Sequence, residues 1–267
     1  MQNNALDTWR DWEYRETPPG FKFTANTAGS TVAMRAFGSA PSVSLEYSTD
    51  NGSSWNTFTV GSTTITLENV GDYVLFRAGS GGNTAFGTSS SNYNQFSMTG
   101  SLDVEGSIMY MLDKNGSEDA VMGIYCFEKL LADNNVIRSS EMLELPATTL
   151  SENCYRDILS RCTSLTTPPK VLPATTCVSN CYYGMFYGCP SLEKSPHIKA
   201  TTLANNCLYM AFYNCSNLGE IKIDYTGNFS PSYTNSWVYG VSPSGTFYYN
   251  GSDTNRGVSL IPSNWSV

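Results

Sequence analysis

Of 267 residues only 14% are charged, and the balance is acidic, 23 Asp and Glu against 15 Lys and Arg, for a formal charge of −8. That sign, with no Lys/Arg cluster to interrupt it, opposes the phosphate backbone and excludes nucleic acid as a partner. No apolar run is long enough to insert into a membrane as a helix, and the length accommodates two modest domains.

Residues 1–20 are polar, carry Asp7, Asp11, Glu13 and Glu16, and lack the apolar core of a secretory signal. A secreted protein would need a leader upstream; a virion component, assembled in the cytoplasm and released at lysis, would need none. Leu6, Trp9, Trp12 and Glu13 fit a two-turn helix ended by Pro18-Pro19-Gly20, too short to stand alone. Two readings stand level: packing on the chain's own next domain, or an attachment or trimerisation arm anchored by Trp9 and Trp12.

Residues 21–105 change grammar. Seven short alternating or aromatic segments, 21–24, 31–37, 42–47, 55–60, 64–67, 73–77 and 93–98, are separated by Gly, Asn and Ser clusters, the pattern of an immunoglobulin-like β-sandwich. Ser48-Thr49-Asp50-Asn51-Gly52-Ser53-Ser54-Trp55 matches the S-x-D-x-G-x-x-W Asp-box. There Asp50 bonds turn amides, Gly52 permits positive φ and Trp55 packs beneath a hairpin. The motif resembles a turn repeated in sialidase propellers, where it is structural, and one copy builds no propeller.

At the junction, Asp103 with Glu105 and Glu118 with Asp119 are paired acids within what reads as a charged linker. Asp113 to Asp119 begins like a calcium loop but has Glu118 where glycine and Ile124 where the bidentate glutamate should stand, so it reads as a turn and not a metal site.

From residue 106 to 224 the chain repeats. Cys126, Cys154, Cys181 and Cys207 follow one another at 28, 27 and 26 residues, each trailed at +8 by Asn134, Cys162, Cys189 or Cys215 and at +11 by Ile137, Leu165, Leu192 or Leu218. A period between about 20 and 29 residues points to a leucine-rich-repeat solenoid, which offers a long surface and no obligatory catalytic pocket. Apolar offsets 0, 1, 4, 5 and 8 predict one face of a short helix. Pro168, Pro169 and Pro196 stop it. Leu145-Pro146-Ala147-Thr148-Thr149 recurs as Leu172 to Thr176 and, degraded, as Ile198 to Thr202, in extended segments. The irregular first unit, with Glu128, Lys129, Asp133 and Asn134, reads as a cap facing solvent.

Seven of the eight cysteines sit at the two ladder positions, where a small buried residue is wanted, so reduced, packed thiols are expected instead of disulfides or metal ligands. Cys177 replaces Leu150 and Leu203 as a core substitution. His197, the single histidine, reads as a solvated loop residue with no acid or nucleophile beside it, which disfavours triad chemistry. Tyr183 and Tyr209 share offset +2, and Tyr187 and Tyr213 share +6. They are the candidate ligand-binding residues, against the alternative that they merely cover the outer layer.

The strings Gly184-Met185-Phe186-Tyr187-Gly188-Cys189-Pro190-Ser191-Leu192 and Met210-Ala211-Phe212-Tyr213-Asn214-Cys215-Ser216-Asn217-Leu218 resemble the F-x-x-C-x-x-L core of BspA-like leucine-rich repeats of gut and oral bacterial surface proteins. Similar Leu-Pro-Ala-Thr-Thr units joined to a stretch like Phe23 to Thr31 occur in gut phages and their hosts. The resemblance spans about residues 20–267 and supplies no binding residues. The segment with Trp237, Ser244 to Tyr249 and Ile261 to Trp265 resembles the terminator of such arrays.

Together the residues and the resemblance give an α+β chain: attachment arm 1–20, immunoglobulin-like sandwich 21–105, solenoid of about four units 106–224, and C-terminal cap 225–267. The resemblance implies recognition outside the cytoplasm; the residue inventory points to no catalysis or cofactor, and the N-terminus without a secretory signal favours a virion surface, as tail fibre, receptor-binding or decorating protein engaging a host cell-surface glycan or protein. Other virion proteins would join through residues 1–20, and self-association is a further partner class. The alternatives are a bacterial cell-surface adhesin and a purely structural virion component.

Overall fold

The computed structural model describes residues 20–267. Nine strands come first: β1 (Phe21–Ala25), β2 (Ser30–Phe37), β3 (Leu45–Ser48), β4 (Asn56–Phe58), β5 (Thr64–Leu67), β6 (Tyr73–Ala78), β7 (Gly87–Ser89), β8 (Asn92–Thr99) and β9 (Leu102–Ser107). They form two sheets, ordered β9-β1-β6-β3-β4 and β5-β2-β8-β7. Alternation decides which side chains enter the core. Phe21 and Phe23 of β1 and Phe76 of β6 face inward, and their rings lie 5.8, 4.8 and 5.2 Å from Phe96 of β8 in the other sheet.

Two of these strands were not foreseen. β7 is only three residues long. β9 contains Asp103 and Glu105, which read as a linker, yet Leu102 and Val104 between them are fully buried. The carboxylates lie on the outer face, Asp103 accepting from Asn26 Nδ2 at 2.9 Å and Glu105 paired with Lys22 at 2.5 Å.

β9 also begins a parallel stack. β10 (Ile137–Ser139) and β11 (Leu143–Glu144) pair with it in parallel. Farther along, β12 (Val171–Leu172), β13 (Lys194–Ile198), β14 (Glu220–Ile223) and β15 (Thr246–Tyr248) form a second parallel sheet, one strand per repeat until the last. The expected boundary at 105 falls inside β9, and one continuous apolar core runs from Phe21 to Trp265.

The expected helix at offsets 0 to +8 is absent. Among the described residues strands and bridges hold 29% and helix 3%, the helices there being the 3-10 turn Ile108–Met111 and α1 (Pro231–Thr234). The α+β expectation is therefore corrected to a β-rich fold. In place of each helix runs a row of overlapping four-residue turns. In one row Arg156, Ile158, Ser160 and Cys162 donate N–H to the carbonyls three residues back, while Tyr155, Asp157, Leu159 and Arg161 donate to Cys181, Tyr183, Met185 and Tyr187 of the next coil.

Every fourth residue is left-handed: Asn153, Asp157 and Arg161 at φ 57, 53 and 57°, then Asn180, Gly184 and Gly188 at 56, 56 and 68°. These are largely Asn, Asp and Gly, the residues that tolerate this region, and a helix cannot contain them in that conformation. The 0, 1, 4, 5, 8 spacing thus reflects a strict period of four and not 3.6. A fifth row, unforeseen, continues over Ser232 to Tyr239, whose carbonyls accept from Asn206 to Asn214.

The first unit is not capped by solvent. Phe86 and Phe96 of the sandwich donate N–H to Cys126 and Leu130. Asn134, where later units have cysteine, accepts from Met98 N–H at 3.1 Å and donates to Phe96 O at 2.9 Å. A thiol, a weak donor and a weak acceptor on one atom, would replace both bonds poorly. At +8 in the later coils Cys162, Cys189 and Cys215 instead donate Sγ–H to the +5 carbonyls of Leu131, Leu159 and Phe186 at 3.3, 3.1 and 3.0 Å.

Candidate functional site

The turn rows set offsets +2 and +6 in register from coil to coil, so like residues stack. Tyr183 lies on Tyr209 at 4.5 Å between ring centroids, inclined by 13°. Beside this column Tyr187 lies on Tyr213 at 5.2 Å, and Tyr213 on Tyr239 at 4.8 Å. The four candidate tyrosines are therefore brought together on one face. Tyr239 is the member the sequence reading missed, because no cysteine marks the fifth row; Gly240, left-handed at φ 72°, was its available signal.

Stacking covers ring faces, and Tyr183, Tyr187, Tyr209 and Tyr213 are half-buried. Tyr239, at the end of its column, is 47% exposed. Between the columns the left-handed positions are Gly184, Met210 and Ser236, at φ 56, 50 and 55°. A Cβ on Gly184 would collide with the Asp157 carboxylate, so the space there favours glycine.

Toward the sandwich the same columns become charged. Arg156 stacks its guanidinium 4.2 Å from the Tyr183 ring centre, with its Nε 3.7 Å from Glu128 and 3.6 Å from Asp157. Glu128 has no accessible surface, and neither of its carboxylate oxygens has a hydrogen-bond donor. Burial pushes its carboxyl up to about 7, against the pull of Arg156 and Lys129. Burial likewise raises Asp157. Arg161 closes the +7 column on Asp133 at 2.7 Å. The charges of the first two coils thus neutralise one another, while the corresponding positions of the next three, Tyr183 to Gly188, Tyr209 to Asn214 and Asn235 to Gly240, carry none.

The other singled-out residues are structural in their placement. Asp50 Oδ1 accepts from Ser54 N–H at 2.9 Å and Ser48 Oγ at 2.6 Å, Gly52 has φ 79°, and Trp55 Nε1 donates to Gly52 O at 3.1 Å. These hydroxyl and amide donors hold the Asp50 carboxyl at about 2. Arg77 covers the Trp55 ring at 3.9 Å. Cys126, Cys154, Cys162, Cys177, Cys181, Cys189, Cys207 and Cys215 are all unbridged and buried. Trp9 and Trp12 lie outside the described residues.

His197 departs from expectation. It sits on β13, and its Nε2 is 2.6 Å from Asp224 Oδ1, with Lys199 3.5 Å from the same carboxylate. Burial lowers its imidazole despite that acid. The partner is 27 residues on, one repeat period, just as Arg156 and Arg161 stand 28 beyond Glu128 and Asp133. The nearby Ser195 hydroxyl is occupied, donating to Pro196 O and accepting from Lys222 N–H.

The 113–119 segment is a turn, closed by Gly116 N–H on Asp113 O at 2.9 Å. Among the described residues no acid, cysteine and histidine cluster has metal-binding geometry, and no helix is long and apolar enough to cross a membrane. No protein-family model, curated protein or solved structure matches the chain.

Proposed function

We propose that this chain is a non-catalytic recognition protein of the BspA-like leucine-rich-repeat type, with an immunoglobulin-like base and a short solenoid. It is displayed outside the cell on a phage particle, where it binds a host cell-surface glycan or protein. The observation that carries this is the tyrosine face: Tyr183 and Tyr209 form one column and Tyr187, Tyr213 and Tyr239 a second beside it, separated by Gly, Asn, Ser and Met and without formal charge. Rigid stacked tyrosine rings beside Gly, Asn and Ser have the composition of a paratope, where aromatic area comes at low cost in conformational entropy. The parallel ladder with one strand per repeat and periods of 26 to 28 residues supports the solenoid reading. The Ser195 hydroxyl, bonded to Pro196 O and Lys222 N–H and not to His197, supports binding over hydrolysis.

The test is binding of the purified chain to intact gut Bacteroidetes cells before and after capsular polysaccharide is stripped, and after surface proteolysis. Loss with the capsule assigns a glycan, and loss with the protease a protein. Absence of binding to every cell tested would refute recognition in favour of a structural, particle-decorating role.

A further inference from the structure

Between the first two repeats the parallel stack opens. β11 and β12 hold neighbouring places in consecutive units, yet β11 pairs with β9 and β12 with β13, in separate sheets. The coils are joined as far as the Ser140 N–H bond to Thr167 O and joined again from the Asn153 N–H bond to Ser179 O. The cause is chemical. Pro173, level with Pro146 of the unit before, has no N–H to give across the gap. One unit later Lys199 stands at that level, its N–H donates to Leu172 O at 3.0 Å, and the sheet is continuous from there.

The opening is a groove of about 420 Å3 walled by Leu143, Leu145, Pro146, Val171 and Pro173. Its backbone edges are polarised toward it. Lys170 O and Leu172 O accept from His197 of β13 and from Lys199 just after it, so by strand alternation the N–H and C=O of Val171 point into the groove. On the opposite wall Met142 O accepts from Gly106 N–H, which turns the Leu143 carbonyl the same way.

Glu118, Glu141 and Glu144 ring the groove. Lys170 Nζ lies 3.9 Å from Glu141. Burial, together with the Glu118 charge, holds the Glu144 carboxyl above its usual range. A Glu118 charge that raises Glu144 favours a cation between the two carboxylates.

We infer that this groove is an interaction site for an extended peptide segment of a partner protein. The segment is added as a strand along the Val171 edge, with apolar side chains on the proline walls and a lysine or arginine between Glu118 and Glu144. Strand addition takes affinity from the backbone and selectivity from alternate side chains. The site does not involve the tyrosine face and stands or falls separately from it.

The test is a titration of the isotope-labelled full chain with two blocked hexapeptides, Ac-Lys-Val-Lys-Val-Lys-Val-NH2 and Ac-Glu-Val-Glu-Val-Glu-Val-NH2, read by amide chemical shifts. The lysine peptide should move amides of 143–147 and 171–174, and the glutamate peptide should not. The surface double variant Glu118→Gln/Glu144→Gln, its unperturbed spectrum attesting the fold, should bind the lysine peptide about tenfold more weakly. Equal response to both peptides, unchanged affinity in the variant, or no shift at millimolar lysine peptide would each overturn the inference. So would movement of the same amides with protein concentration alone, which would put a second copy in the groove.

Discussion

Glu128→Gln tests the electrostatics beneath the tyrosine columns. The wild-type carboxyl titrates near 7 in the folded protein against 4.5 as its ordinary value, so between these pH values the folded state binds a proton that the unfolded chain has released. Its stabilisation is complete below pH 4.5, declines through the window, and is lost as pH rises through 7. At roughly 1.4 kcal/mol per pKa unit the loss is about 3 kcal/mol. The substituted glutamine cannot titrate and should abolish that component, while the raised Asp157 and Glu144 contribute to both proteins. Urea unfolding of both proteins across the window is the assay. The variant should gain about 3 kcal/mol on the wild type between the acid and the neutral end. Parallel curves would mean that Arg156 and Lys129 fully offset burial, and would refute the raised Glu128 carboxyl.

Three further outcomes follow from the coil geometry. Asn134→Cys, restoring the repeat pattern, should destabilise by about 2 kcal/mol or more, since Met98 N–H and Phe96 O lose their partner; urea unfolding measures it. Lys199→Pro should copy the Pro146 and Pro173 level and open the sheet after β12, costing about 1–3 kcal/mol for the orphaned Leu172 carbonyl. It should also accelerate amide exchange along β13 and β14. Ellman's reagent should find no rapidly reacting thiol in the folded protein and all eight in denaturant, because the cysteines are buried and unbridged; fewer than eight in non-reducing denaturant would reveal a disulfide.

Alternation and turn residues made most of the sandwich legible. Seven of its nine strands follow from period-two patterns, and the Asp50 turn from its motif. β9 was hidden because its outward residues are acids, which look like a linker until Leu102 and Val104 are read as the inward pair. The cysteine period located every coil up to the fourth, but offsets 0, 1, 4, 5 and 8 satisfy helix and turn row alike; the distinguishing signal lay in Asn, Asp and Gly recurring at −1, +3 and +7. Asn134 could not be understood from its own unit, because its partners are on β8, 36 and 38 residues earlier. The partners of Glu128, Asp133 and His197 were accessible in principle, each one period away, to a reading that compares equivalent offsets for opposite charge.

The tyrosine face is the centre of the account, and Tyr187→Ser/Tyr213→Ser addresses it most directly. The two side chains are half-buried on the outer layer, so the variant should keep the wild-type fold by circular dichroism. If the face binds host cells, affinity for them should fall by about thirtyfold or more, the loss of at least about 2 kcal/mol typical of an aromatic anchor. Cell binding equal to wild type by a folded double variant would contradict the account and leave the stacked tyrosines as a cover for the coils.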